Sequence, residues 1–111
     1  MKKQQHTPGP WGWSHREIHS GNYSTQVYDA NEKEIATIAW YPVRQNNITT
    51  TSREANARLI AAAPELLEAC LAMIEWDDRE KDHSVDFYAR LELCNIAFDK
   101  ARAAIEKATG G

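Results

Sequence analysis

The hydrophobic positions of this chain follow two periods, and the change falls in the stretch after Pro42. Upstream the spacing is that of strands. Trp11 and Trp13 are two apart, so they point to one face of an extended segment. Pro8-Gly9-Pro10 forbids a helix before them and favours an extended entry from the polar start, Met1 to Thr7. Trp11 to Ile18 reads as a first strand and Ser20-Gly21-Asn22 as a turn. Ser24 to Asp29 reads as a second strand with Thr25 and Val27 on one face. Asp29 to Lys33 is a turn without an Asn-Gly signature, so it does not set the hairpin register by itself. Glu34 to Tyr41 is β-branched and aromatic, and Pro42 ends it. Strands in succession with short links predict an antiparallel meander of three to four strands over residues 11–41.

Downstream the spacing is helical. Val43 to Thr50 is a polar connection containing Arg44. Thr51-Ser52-Arg53-Glu54 fits a capping box, which predicts a first helix from Ser52 to Ala63. Pro64 lacks a backbone donor, so the helix must kink or restart there, with Glu65 and Glu68 well placed in the first turn of a second helix that runs to Trp76 or Arg79. Ser84 is the expected N-cap of a last helix, Val85 to Ala108, which Gly110-Gly111 closes. In it Phe87, Leu91, Cys94, Phe98, Ala101, Ile105 and Ala108 recur at alternating intervals of four and three, a heptad-like seam. Leu67, Cys70 or Leu71, and Ile74 are expected to meet that seam in an antiparallel helical hairpin. The expected fold is therefore α+β: one domain over residues 1–111, a meander followed by a helical part over residues 52–108.

The 111 residues suit one domain with a modest core, and 42% hydrophobic with 26% charged residues is a globular composition. A net charge of −3 gives no electrostatic reason to bind a nucleic-acid duplex. Cys70 and Cys94 read as reduced core thiols, since two cysteines make no disulfide framework at this length. The start shows neither a signal peptide nor an apolar stretch long enough to span a membrane, so a cytoplasmic protein is expected.

Catalytic chemistry has no motif here: no nucleophile elbow, no glycine-rich phosphate loop, no paired carboxylates. His15 and His19 lie in a strand and a turn, too far apart for easy chelation of one ion, so neither metal nor cofactor is implied. The aromatic group Trp11, Trp13, Tyr23, Tyr28, Trp40 and Tyr41 is the richest feature. Part of it is needed to pack sheet on helices; an exposed member would form a stacking platform for a flat ligand such as a nucleobase. Arg53, Asn56 and Arg58 on the first helix, with Arg44 before it, are the polar candidates to line such a pocket, the arginines to meet phosphate. The expected binding set is Trp11, Trp13, Arg44, Arg53, Asn56 and Arg58.

Two patches carry a resemblance: His6-Thr7-Pro8-Gly9-Pro10-Trp11, and the run Glu54-Ala55-Asn56-Ala57-Arg58-Leu59-Ile60-Ala61-Ala62-Ala63-Pro64-Glu65-Leu66-Leu67-Glu68-Ala69. They look like the hallmarks of a family of small proteins encoded by tailed bacteriophages and prophages. The layout of a short antiparallel sheet before a helical hairpin is also similar to the first type of phage anti-Thoeris sponge. Those proteins oligomerise and sequester cyclic ADP-ribose signals without cleaving them. The resemblance implies a non-enzymatic counter-defence protein in the cytoplasm of an infected bacterium, a homo-oligomer holding a small nucleotide-type ligand. The alternative is a protein inhibitor docking on a host defence or CRISPR complex, with Asp77, Asp78, Glu80, Asp82 and Asp86 mimicking nucleic-acid charge.

Overall fold

The computed structural model describes residues 5–19, 22–38 and 50–110. Three strands, β1 (Gly12–His19), β2 (Asn22–Tyr28) and β3 (Glu34–Thr37), form an antiparallel sheet in the order β1-β2-β3. Three helices follow, α1 (Thr50–Ala61), α2 (Ala63–Glu80) and α3 (Phe87–Thr109), so the chain is α+β. Trp40, Tyr41 and Arg44 lie outside the described residues, as does the end of the strand expected to reach Tyr41.

Register sorts the sheet residues by face. Trp13 pairs with Val27, Val27 with Ala36, and His15 with Thr25. This face lies against α1. Val27, Ile38, Ala57 and Ala61 form a buried cluster, and Trp11, Trp13 and Ala36 pack on it. The shared face expected for Trp11 and Trp13 is therefore the inner one. Thr25 is buried within that layer, and its Oγ1 lies 2.6 Å from His15 Nδ1 in a hydrogen bond. The β2–β3 turn is held by Asp29, whose Oδ1 accepts from the backbone N–H groups of Asn31 (2.8 Å) and Lys33 (2.9 Å). An Asx-type turn thus replaces the missing Asn-Gly pair.

Pro64 sits in the first turn of α2, as its missing N–H requires. It is also a contact point. A Cβ added to Gly9 would fall 2.9 Å from Pro64 Cβ, so the entry segment and the start of α2 touch where only glycine fits. The two sequence patches behind the phage resemblance thus meet in space.

The helix starts differ from the expected ones. Thr51 lies inside α1, not at its N-cap. Asp86, not Ser84, caps α3: its Oδ2 accepts from the backbone N–H of Tyr88 at 3.1 Å. Ser84 instead donates through its N–H and Oγ to Asp82 Oδ1. A carboxylate at the cap adds charge to the hydrogen bond at the positive end of the helix. Gly110 closes α3 in the left-handed conformation, φ 81°.

The hairpin packs along one edge of the expected seam: Cys94, Ala101 and Ala108 are half-buried, and the Phe98 ring centroid lies 6.0 Å from that of Trp76. Ala69 of α2 and Ala97 and Ala104 of α3 are the buried apolar residues, with the ion pairs Glu80–Arg90 (3.4 Å) and Glu65–Lys107 (2.8 Å) near the two ends. Alanines bring the helix axes close, and this moves the contact one column round α3. Leu67 and Ile74 are exposed, and so are Phe87, Leu91, Phe98 and Ile105. Cys70 is exposed and Cys94 half-buried, so the two thiols are free but not both in the core. The result is elongated, 63 × 25 × 20 Å, with a radius of gyration of 18.2 Å against roughly 13 Å for a compact domain of this length.

Candidate functional site

The outer face of the sheet carries a cleft of about 490 Å³ lined by Gly12, Trp13, Ser14, Arg16, Tyr28, Asp29 and Glu32. Its volume is within the range of small-molecule sites. Strand alternation builds its floor. Gly12, Ser14 and Arg16 share the parity opposite to Trp13, and Gly12 pairs with Tyr28 while Ser14 pairs with Gln26. Nothing lies within 4 Å of where a Gly12 Cβ would be, so this end of the floor is open.

One polar cluster organises the cleft. Arg16 Nη2 donates to Tyr28 OH at 3.0 Å and, more weakly, to Gln26 Oε1 at 3.5 Å. The Tyr28 hydroxyl donates in turn to Gln26 Oε1. The guanidinium is thereby aimed while Nε and Nη1 make no protein hydrogen bond among the described residues. A forked donor held in this way is suited to an anionic oxygen pair such as a phosphate. Ser14 Oγ is buried with no hydrogen-bond partner among the described residues. Asp29 and Glu32 close one end with carboxylates, acceptors for hydroxyl groups.

The residues expected to bind are distributed differently. Trp13 is the member that reaches the cleft. Its ring also carries Arg58, whose guanidinium carbon is 5.2 Å from the ring centroid, a cation–π contact. Arg58 further pairs with Glu54 at 3.9 Å. Arg53 is 7% exposed, on the buried side of α1. Asn56 is exposed, away from the buried Ala57 and Ala61 line. Trp11 packs on the core cluster and donates through Nε1 to Thr7 O at 3.1 Å. Trp13 and Arg58 are thus brought together, and among the described residues the lining of this cleft includes neither Arg53, Asn56 nor Trp11. Arg16, Ser14 and Gln26 form the cleft without having stood out in the sequence. Their signal was the parity of Gly12, Ser14 and Arg16, opposite to the tryptophans.

Among the described residues no group of three His, Cys, Asp or Glu side chains comes together to hold a metal ion, and no helix is long and apolar enough to cross a membrane. A family model described as Salmonella phage P22 protein Y8K6 matches residues 1–111. Comparison with curated proteins and with solved structures returns no match.

Proposed function

Because the chain belongs to the family of Salmonella phage P22 protein Y8K6, a bacteriophage family, we propose that it is a counter-defence protein that withholds a nucleotide-derived signal of the cyclic ADP-ribose type. The ligand sits in the cleft on the outer sheet face and is bound without being cleaved. The observation that carries this reading is the Arg16 guanidinium, aimed by Tyr28 and Gln26 in a cleft that Trp13 also lines. Phosphate meets Arg16, the hydroxyls of a ribose meet Asp29, Glu32 and Ser14, and the flat base stacks at Tyr28.

Calorimetry tests this with cyclic and linear ADP-ribose and with cyclic dinucleotides. Binding of one of them is expected, weakened at least tenfold by Arg16→Ala, with the recovered ligand chemically unchanged. No heat from any of them overturns the reading. The protein-mimic alternative has the exposed tip of the hairpin behind it. There Asp77 already pairs with Lys81, Glu80 with Arg90, and Asp86 caps α3, which spends much of the charge inside the chain.

A further inference from the structure

The cleft on the outer sheet face keeps opposite charges apart. Arg16, Asp29 and Glu32 all line it, one cation and two anions. Neither carboxylate forms an ion pair with Arg16 among the described residues. The guanidinium is engaged by neutral groups instead, the Tyr28 hydroxyl at 3.0 Å and Gln26 Oε1 at 3.5 Å. Strand register explains the separation. Gly12 pairs with Tyr28, next to Asp29, and Arg16 lies four residues further along β1, about 13 Å of extended backbone. The Arg16 and Tyr28 side chains meet between these points, so the guanidinium stops short of the carboxylate end.

The β2–β3 turn fixes that end. Asp29 Oδ1 accepts from the N–H groups of Asn31 and Lys33, which leaves Oδ2 for a ligand. The Glu32 N–H donates to Asp29 O at 3.1 Å, so the two carboxylates belong to one turn. The Glu32 side chain is exposed and makes no hydrogen bond or ion pair among the described residues. A ligand that fills the cleft meets a fork of donors at one end and acceptors at the other.

Given the nucleotide reading of this cleft, on which the step rests, we infer that the cleft selects ligands with their anionic charge at one end and a sugar diol at the other. Asp29 and Glu32 are the residues that enforce the choice. Phosphate oxygens take the free Arg16 donors, and the ribose hydroxyls donate to Asp29 Oδ2 and the Glu32 carboxylate. A second phosphate at that end faces two carboxylates, with Arg16 the cation of the described lining. Like charges set side by side act against the wrong ligand without adding affinity for the right one. Cyclic ADP-ribose and cyclic dinucleotides differ in this respect. The former has a single pyrophosphate and free ribose diols. The latter have phosphodiesters on opposite sides of the ring and a hydroxyl of each ribose esterified, so no diol remains.

Calorimetry of the full chain with cyclic ADP-ribose and with a cyclic dinucleotide tests this, comparing the wild type with an Asp29→Asn, Glu32→Gln double variant. Asparagine keeps the oxygen that holds the turn and glutamine keeps the length of Glu32, so charge is what the variant removes. The wild type is expected to bind cyclic ADP-ribose about tenfold more tightly than the cyclic dinucleotide, and added salt to narrow that preference by screening the exposed carboxylates. The double variant is expected to bind the cyclic dinucleotide more tightly and cyclic ADP-ribose more weakly, so that the preference disappears. Glu32→Gln alone, at an exposed position that leaves the fold intact, is expected to move both affinities in the same directions. No heat from either ligand with any of these proteins overturns the nucleotide reading and this inference with it. Heat from both ligands with equal wild-type affinity, or a preference that both variants retain in full, overturns this inference and leaves the nucleotide reading standing.

Discussion

Gly110 ends α3 at φ 81°, and a Cβ there would meet Arg58 Nε at 3.1 Å and Cδ at 3.2 Å. The same arginine lies on the Trp13 ring. Gly110→Ala therefore strains the cap and presses on the link between α1 and the sheet. A loss of about 1–2 kcal/mol is expected, read as a fall in thermal midpoint. Glu32 is the converse case. It holds φ 64° in the turn that closes the cleft. Glu32→Gly is expected to raise stability by about 0.5–1 kcal/mol in chemical denaturation, since the left-handed conformation is strained for a side chain with a Cβ. Asp82 is a residue whose ionisation answers to structure. Hydrogen bonds from the Ser84 hydroxyl, and then from its backbone N–H, hold its carboxyl below the usual carboxylate range. The lowered value means that its stabilising effect is present above the usual carboxylate range and is lost as pH falls through the folded value. Ser84→Ala is expected to move the Asp82 midpoint upward in an NMR titration, towards the ordinary value.

Among the elements, α3 shows what hydropathy reveals and what it hides. Its existence, its span to within two residues at each end and its glycine stop were legible from the heptad run and Gly110. Its packing line was not. The buried centre of the contact with α2 is made by alanines flanked by ion pairs, which leave little hydrophobic signature; of the large residues that dominate the pattern, Phe98 packs on Trp76, while Phe87, Leu91 and Ile105 are exposed. The start of α3 was displaced for a similar reason. Ser84 and Asp86 are both competent caps, and Ser84 is drawn into the turn with Asp82. Asp86→Ala is accordingly expected to lower stability by about 1 kcal/mol in denaturant unfolding, with fraying of the Tyr88 and Leu91 end seen in amide exchange. The meander was legible because β-branched and aromatic alternation coincides with turn residues. α2 was legible because proline has few places to sit.

At the scale of the molecule, the sheet lies with α1 at one end and the α2–α3 hairpin extends away from it, giving the 63 Å length. This arrangement decides which sheet face is open. α1 covers the tryptophan face, so Arg58 is stacked on Trp13 and Arg53 is buried, and the face with Gly12, Ser14, Arg16 and Tyr28 remains accessible. Strand alternation gave the two sets of residues, but which set faces water depends on where a helix forty residues later docks. That is why the tryptophans and the α1 arginines stood out in the sequence, while the cleft is built on Arg16. The central claim is that this cleft holds a nucleotide-derived signal intact. It is tested most directly by mass spectrometry of the small molecules released when the protein, purified from bacteria producing such signals, is denatured. The expected result is a nucleotide-type mass released from the wild-type chain and missing from Arg16→Ala. A wild-type chain that releases no such mass, or an Arg16→Ala chain that releases it in equal amount, contradicts the account.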